Sequence, residues 1–166
     1  MAKIGIFYGS STGNTEAAAN QISEALGGVD VFDIALTPVS KMNEYDVLLL
    51  GSSTMGFGDL QDDWEGVVSD LEALDLSGKK VSFFGTGDQV FYEDSFCDAL
   101  GILYESVQDS GATFIGKWST DNYEFTESRA VFESMFIGLA LDEDNQEDLT
   151  EERIQSWVEK LQSEIE

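Results

Sequence analysis

Lys3-Ile4-Gly5-Ile6-Phe7-Tyr8-Gly9-Ser10-Ser11-Thr12-Gly13-Asn14-Thr15 reads as a buried strand that runs into a small polar loop and then into a helix. The strand is signalled by its apolar run, and the helix by Ala18, Ile22, Ala25 and Leu26, which recur every three or four residues. In such a strand-loop-helix joint the backbone N–H groups converge on the helix N-terminus, a ready anion site. Ser10, Ser11, Thr12 and Thr15 add hydroxyls, and Gly13 and Asn14 complete the loop. No GK[ST] closes it, the third glycine of a dinucleotide fingerprint is absent, and it contains no lysine or arginine. Neutral donors suit the phosphate of a tightly held cofactor better than a nucleoside triphosphate, which calls for lysine and magnesium. The competing reading is an ordinary polar turn.

Outward from this joint the same rhythm repeats. Strand-like runs fall at Lys3 to Tyr8, Val29 to Ile34, Tyr45 to Leu50, Lys80 to Phe84, and Thr113 to Gly116 with Phe136 to Leu141. Helical spacing appears in Trp64, Val67, Val68, Leu71 and Leu74, and again in Phe96, Leu100, Leu103, Tyr104 and Val107. A last helix uses Ile154, Trp157, Val158, Leu161 and Ile165, with Thr150 as the expected N-cap. Alternating strands and helices predict an α/β, doubly wound parallel sheet of five strands. Lys117 to Met135, carrying Trp118, Tyr123, Phe125 and Phe132, interrupts the fifth strand and reads as an insertion within one domain spanning 1–166.

Composition narrows the chemistry. One cysteine, Cys97, and no histidine exclude an internal disulfide, a CxxC pair, a four-thiolate cluster and every His-based triad. Redox work would therefore need an organic cofactor. The formal charge of -25 repels nucleic acid and anionic lipid and favours partners with basic faces, besides keeping the chain dispersed. No apolar stretch approaches a membrane span and Met1 to Ile6 carries no leader pattern, so a cytoplasmic, monomeric protein is expected. The acidic run Asp142 to Asp148 lacks the glycine and closing glutamate of a calcium loop, so no metal site is expected.

Ligands of doubly wound sheets bind at the carboxyl ends of strands where the winding reverses. Two further glycine-rich loops fall at such ends. Gly51-Ser52-Ser53-Thr54-Met55-Gly56-Phe57-Gly58-Asp59 presents Met55 to a flat ring, with glycines that let the backbone approach. Gly85-Thr86-Gly87-Asp88-Gln89-Val90-Phe91-Tyr92 offers Tyr92 for stacking and Asp88 with nearby N–H groups for a polar ring edge.

Together, STGNT, GTGDQ with Tyr92 beyond it, WSTDNYEF in the insertion and GLALDEDNQ before a Trp-bearing helix resemble long-chain flavodoxins along nearly the whole chain. The resemblance implies the flavodoxin-like strand order 2-1-3-4-5 with FMN at the switch between the first and third strands, a known precedent for that family. It implies that Ser10, Ser11, Thr12, Gly13, Asn14 and Thr15 hold the FMN phosphate, that Thr54 approaches the phosphate or ribityl chain, and that Asp144 lies near the ribityl hydroxyls. Met55 and Tyr92 would flank the ring, and the Gly56 carbonyl would turn toward flavin N5 when that atom is protonated. Ser53, Gly58, Thr86, Gly87, Asp88, Phe96 and Cys97 complete the implied cofactor shell. The implied function is a low-potential one-electron carrier, passing through semiquinone and hydroquinone states between redox proteins. The chain departs from the family in having Met55 where an aromatic is common, Ser53 for proline and Phe91 for glycine. Phe91 either widens the aromatic wall or changes how the ring faces partners, and the insertion is either a partner surface or a buttress. The alternative function is an NAD(P)H:quinone reductase on the same fold, although no nicotinamide site is evident. A phosphorylation-switched receiver domain is excluded, because Tyr8, Gly9 and Ser10 stand where acidic metal ligands are needed.

Overall fold

The opening stretch forms strand β1 (Ile4–Gly9) and helix α1 (Asn14–Ala25), as its pattern predicts. The computed structural model describes residues 2–11 and 13–165, so Thr12 lies outside the described residues. The chain continues through β2 (Asp30–Asp33), β3 (Val47–Met55), β4 (Asp59–Leu60), α2 (Asp62–Glu65), α3 (Val68–Glu72) and β5 (Lys80–Thr86). Helix α4 (Asp98–Val107) and β6 (Thr113–Phe114) follow. The insertion then supplies β7 (Trp118–Ser119), β8 (Val131–Phe132) and β9 (Met135–Phe136), before β10 (Leu139–Leu141) and α5 (Thr150–Ile165).

The main sheet runs in the order β2-β1-β3-β5-β10, all parallel, which is the 2-1-3-4-5 order expected once the insertion is set aside. Its strands are covered on both faces, as parallel sheets require. Side chains alternate between faces. Ile6, Val47 and Leu49 pack with Ala18, Ile22, Trp157 and Leu161 of α1 and α5. Phe7, Leu48 and Leu50 pack with Trp64, Leu100 and Leu103 on the other side. Each face is also pinned by an indole: Trp64 Nε1 donates to Gly51 O and Trp157 Nε1 to Gly116 O, both at 2.7 Å.

Several boundaries differ from expectation. The interrupted fifth strand is two fragments: β6 lies beside Lys80 and Val81, and β10 beside Phe84 to Thr86. Phe136 belongs instead to the antiparallel sheet β7-β9-β8 of the insertion. The helix expected from Trp64 to Leu74 is broken into α2 and α3 at Gly66 and Val67, where glycine and a β-branched residue weaken the helix. Thr150 is the first residue of α5 rather than its cap, since its hydroxyl donates to Glu143 Oε1 at 2.6 Å. The Gly51 to Asp59 loop is mostly strand: β3 runs to Met55 and pairs antiparallel with β4. Only a hairpin tip, Gly56-Phe57-Gly58, remains, with φ of +50° and +111° at its glycines, which glycine adopts without strain.

Candidate functional site

The carboxyl ends of β1, β3, β5 and β10 meet around one cleft lined by Asn14, Ser53, Thr54, Met55, Thr86, Gly87, Asp88, Tyr92, Glu143 and Asp144. Nine of these were singled out from sequence, and Glu143 was not. The cleft thus joins the first loop to the ring loops around the strand ends.

At one end stands α1. Its N-cap is Gly13, at φ +93°, and among the described residues no side chain caps the helix. The first helical amide to donate within the chain is Ala17 N, to Gly13 O, so Asn14 and Thr15 offer N–H groups without an acceptor among the described residues. A Cβ on Gly13 would meet nothing within 4 Å, so the space above the helix end is open. Ser10 Oγ accepts from Gly13 N at 3.1 Å, which shapes the loop and leaves the hydroxyl proton free to donate. Thr15 is buried and its hydroxyl pairs with that of Thr86 at 3.1 Å, tying the first loop to the end of β5. From below, Gln61 Nε2 donates to Ser11 Oγ at 3.2 Å. Tyr8 donates to Glu16 Oε2 at 2.8 Å, and burial with this carboxylate pushes its hydroxyl above the usual tyrosine range.

The other end is built from the β3–β4 hairpin and the segment after β5. Ser53 Oγ donates weakly to Met55 Sδ at 3.7 Å, and Thr54 Oγ1 accepts from Ala99 N at 3.2 Å, so Thr54 supplies an acceptor to the first turn of α4. Asp88 Oδ1 accepts from Val90 N at 3.0 Å, Phe91 N at 2.8 Å and Asn145 Nδ2 at 2.7 Å. Burial alone would raise this carboxyl, but those donors, Phe91 N foremost, hold it below the usual range. Burial, then the carboxylates of Asp88 and Asp142, raise Asp144. Asp88 therefore braces its own turn with the oxygen that sequence reasoning assigned to a ligand.

Phe96 and Cys97 do not reach the cleft. Phe96 has no exposed surface and stacks on Phe125 of the insertion at 5.5 Å, while Cys97 is 1% exposed under Gly87, where a Cβ would lie 3.1 Å from Sγ. The chain turns inward between Tyr92 and Asp98, so residues that follow the cleft in sequence lie beneath it; burial pushes the Cys97 thiol up and keeps it protonated. Gly58 is likewise structural, because a Cβ there would stand 2.6 Å from Asp98 Oδ2.

Phe57 was missed. It is 89% exposed at the hairpin tip, yet its ring meets Tyr92 edge-to-face across 5.8 Å, and Phe91 flanks the same tyrosine at 4.9 Å. A large aromatic between two glycines was the available signal. Gln61, Asp142 and Gln89 were also missed, and only distant partners reveal them.

A parallel sheet whose switch-point cleft offers neutral anion donors at one end and aromatic rings at the other defines a cofactor-binding α/β protein of the nucleotide or flavin type. A flavodoxin profile matches residues 6–157. The flavodoxin of Synechococcus elongatus is 50% identical over 168 residues, covering 99% of both chains, and flavodoxin 2 of Escherichia coli is 45% identical over 166 residues, covering 98% of this chain and 96% of its own. The crystal structure of Fusobacterium nucleatum flavodoxin bound to flavin mononucleotide superposes with a TM-score of 0.94 at 32% identity over 99% of each chain. The chain belongs to the flavodoxin family.

Proposed function

We propose that this chain binds FMN in the cleft and carries electrons one at a time between redox proteins that present basic faces, acting as a cytoplasmic monomer. The observation that carries the reading is the N-terminus of α1, uncapped by any described side chain and continuous through Asn14 with a cleft that ends at Tyr92. The donors there fit a phosphomonoester: backbone N–H groups of Asn14 and Thr15, and the hydroxyl of Ser10. In this reading Ser10, Ser11, Thr12, Gly13, Asn14 and Thr15 hold the phosphate, with Thr12 assigned from its place in the motif. Thr54 and Asp144 serve the ribityl chain, while Met55 and Tyr92 flank the ring.

Bound FMN supplies one-electron chemistry, and the protein's own groups set when it runs. Gly56 is exposed at φ +50°, and a Cβ there would meet only Asp59 Oδ2 at 3.3 Å, so its carbonyl would be free to turn toward bound FMN as a hydrogen-bond acceptor. Phe57 and Phe91, both largely exposed beside Tyr92, would shield one edge of bound FMN while leaving it within reach of a partner. The quinone reductase reading is not favoured: the relatives at 50% and 45% identity are flavodoxins, which are carriers rather than enzymes.

Purified protein is expected to be yellow, to release FMN on denaturation and to recover it on refolding. It should oxidise NAD(P)H no faster than free FMN does. A colourless chain that cannot be reconstituted with FMN overturns the proposal, and fast stoichiometric NAD(P)H oxidation restores the reductase.

A further inference from the structure

Gln89 follows the cleft residue Asp88 and is 1% exposed. A buried carboxamide has two N–H donors and one carbonyl to satisfy, and leaving any of them unpaired is costly. All are satisfied here, by partners from two other parts of the chain. The backbone N–H of Gln89 donates to Asp142 Oδ2 at 3.0 Å, and Nε2 donates to that oxygen and to Gln146 Oε1, both at 2.8 Å. Its Oε1 accepts from Glu124 N, in the insertion, at 2.5 Å.

Asp142, buried beside it, accepts on Oδ1 from Asp144 N at 3.1 Å and Asn145 N at 3.0 Å, and Asn145 Nδ2 bridges Asp142 Oδ2 at 2.9 Å and Asp88 Oδ1 at 2.7 Å. The loop carrying Asp88 and Tyr92 and the loop carrying Asp144 are thus one hydrogen-bonded unit with Gln89 at its centre. The insertion grips this unit along residues 122–124: Gln146 Nε2 donates to Asn122 O at 3.0 Å, and Tyr123 donates to Ala140 O at 2.5 Å.

We propose that Gln89 is a positioning residue through which the insertion sets the ring end of the cleft. The Glu124 N–H holds the carboxamide oxygen and so decides which way the amide faces. Its NH2 then faces Asp142 and Gln146 and closes the two loops on each other. Turned over, the amide would set its oxygen against Asp142 Oδ2, two acceptors face to face, and the loops would part. This rests on the reading that FMN occupies the cleft, and it gives the insertion a role in cofactor geometry.

The test compares Gln89→Glu with Gln89→Leu in the full chain loaded with FMN. Gln89→Glu keeps the shape and the acceptor for Glu124 N–H, but places a carboxylate against Asp142 and Gln146 where a donor stood. The charged groups around the position are Asp142, Asp144 and Glu143 on one loop, Asp88 on its own, Glu124 of the insertion, and Arg153 of α5, whose guanidinium lies 4.0 Å over the Tyr123 ring. All are common to both variants, so the wild-type pH profile is the baseline. At about pH 8, FMN and riboflavin affinities of Gln89→Glu are expected to fall about tenfold or more, with shifted midpoint potentials. Both should recover toward wild type as pH falls and the introduced carboxyl takes up a proton, restoring a donor at that position. Gln89→Leu should stay weak at every pH, and its Glu124 amide should exchange faster than in wild type. Wild-type affinity and potentials in Gln89→Glu at pH 8, or the same pH-independent loss in both variants, overturns the inference alone. A wild-type chain that takes no FMN overturns the reading of the cleft, and this inference with it.

Discussion

The two ends of the cleft are built on different principles. At the helix end the available donors are backbone amides and short hydroxyls: Thr15 of α1 is fully buried, and Gln61, 2% exposed, fastens Ser11 from below. At the ring end the groups are large side chains on connecting segments, with Phe57 and Phe91 largely exposed and Tyr92 between them. The helix end has no lysine or arginine among Ser10 to Thr15, whereas the ring end is framed by Asp88, Glu143 and Asp144. The difference separates two tasks. Donors already held by neighbouring groups favour tight anchoring, because less ordering entropy is lost on binding. In the proposed reading, an aromatic rim open to solvent would let electrons pass to a docked partner without release of the cofactor.

The sharpest way to break this division is from beneath the helix end. A Cβ on Gly9 would stand 2.3 Å from Gln61 Oε1 and 2.7 Å from Trp64 Cδ1. Gly9→Ala is therefore expected to cost about 1–3 kcal/mol, a thermal midpoint lower by about 3–10 °C, and to release Ser11 from its support. An unchanged melt would show that the helix end is not rigidly seated.

Next comes a paired measurement. Ser10→Ala should weaken FMN by about three- to tenfold while leaving riboflavin, which has no phosphate, nearly unchanged. Phe57→Ala should weaken both flavins by one common factor, about two- to fivefold, and raise the fluorescence of the bound ring. Equal losses for both flavins in Ser10→Ala would erase the contrast between the ends.

The smallest effect concerns acid. Asp88 is held below the usual range, so the order it gives its turn is present at neutral pH and is lost as pH falls through its lowered value. Asp98 and Asp144 are raised, chiefly by burial, and act with the opposite sign: their contribution is present at low pH and fades as they ionise. Because Asp88 is partly exposed, its net effect is expected to be about two- to threefold in riboflavin affinity across this window, and Asp88→Asn should flatten it. Riboflavin is the probe because the FMN phosphate titrates on its own. A wild-type profile already flat as acid is added would remove Asp88 from the ring end.

Much of this was legible beforehand for a plain physical reason. Strand and helix periodicity, and glycines at strand ends, are local signals, and they brought Asn14, Met55, Gly87 and Tyr92 to one cleft. The errors fell where local pattern and tertiary course diverge. Phe96 and Cys97 follow Tyr92 closely in sequence, yet the inward turn buries them against the insertion. The middle of the Gly51 to Asp59 segment was read as loop because polar and glycine residues mimic one; pairing with β1 and β5 over Gly51 to Ser53, and with β4 at Thr54 and Met55, makes most of it strand.

From sequence alone came the alternating α/β rhythm, the order of the chain's units, the uncharged first loop and the need for an organic cofactor. These follow from composition and from periods of two and 3.6 residues, which require no knowledge of distant neighbours. Only the tertiary structure decided that Asp88 spends its carboxylate on its own turn, that Phe57 reaches Tyr92, and that Gln89 joins Asp142 to Glu124. Those partners stand 53 and 35 residues away from Gln89, and a buried hydrogen bond between such positions is selected by the closed fold, where each unpaired group would be costly, rather than by any pattern along the chain.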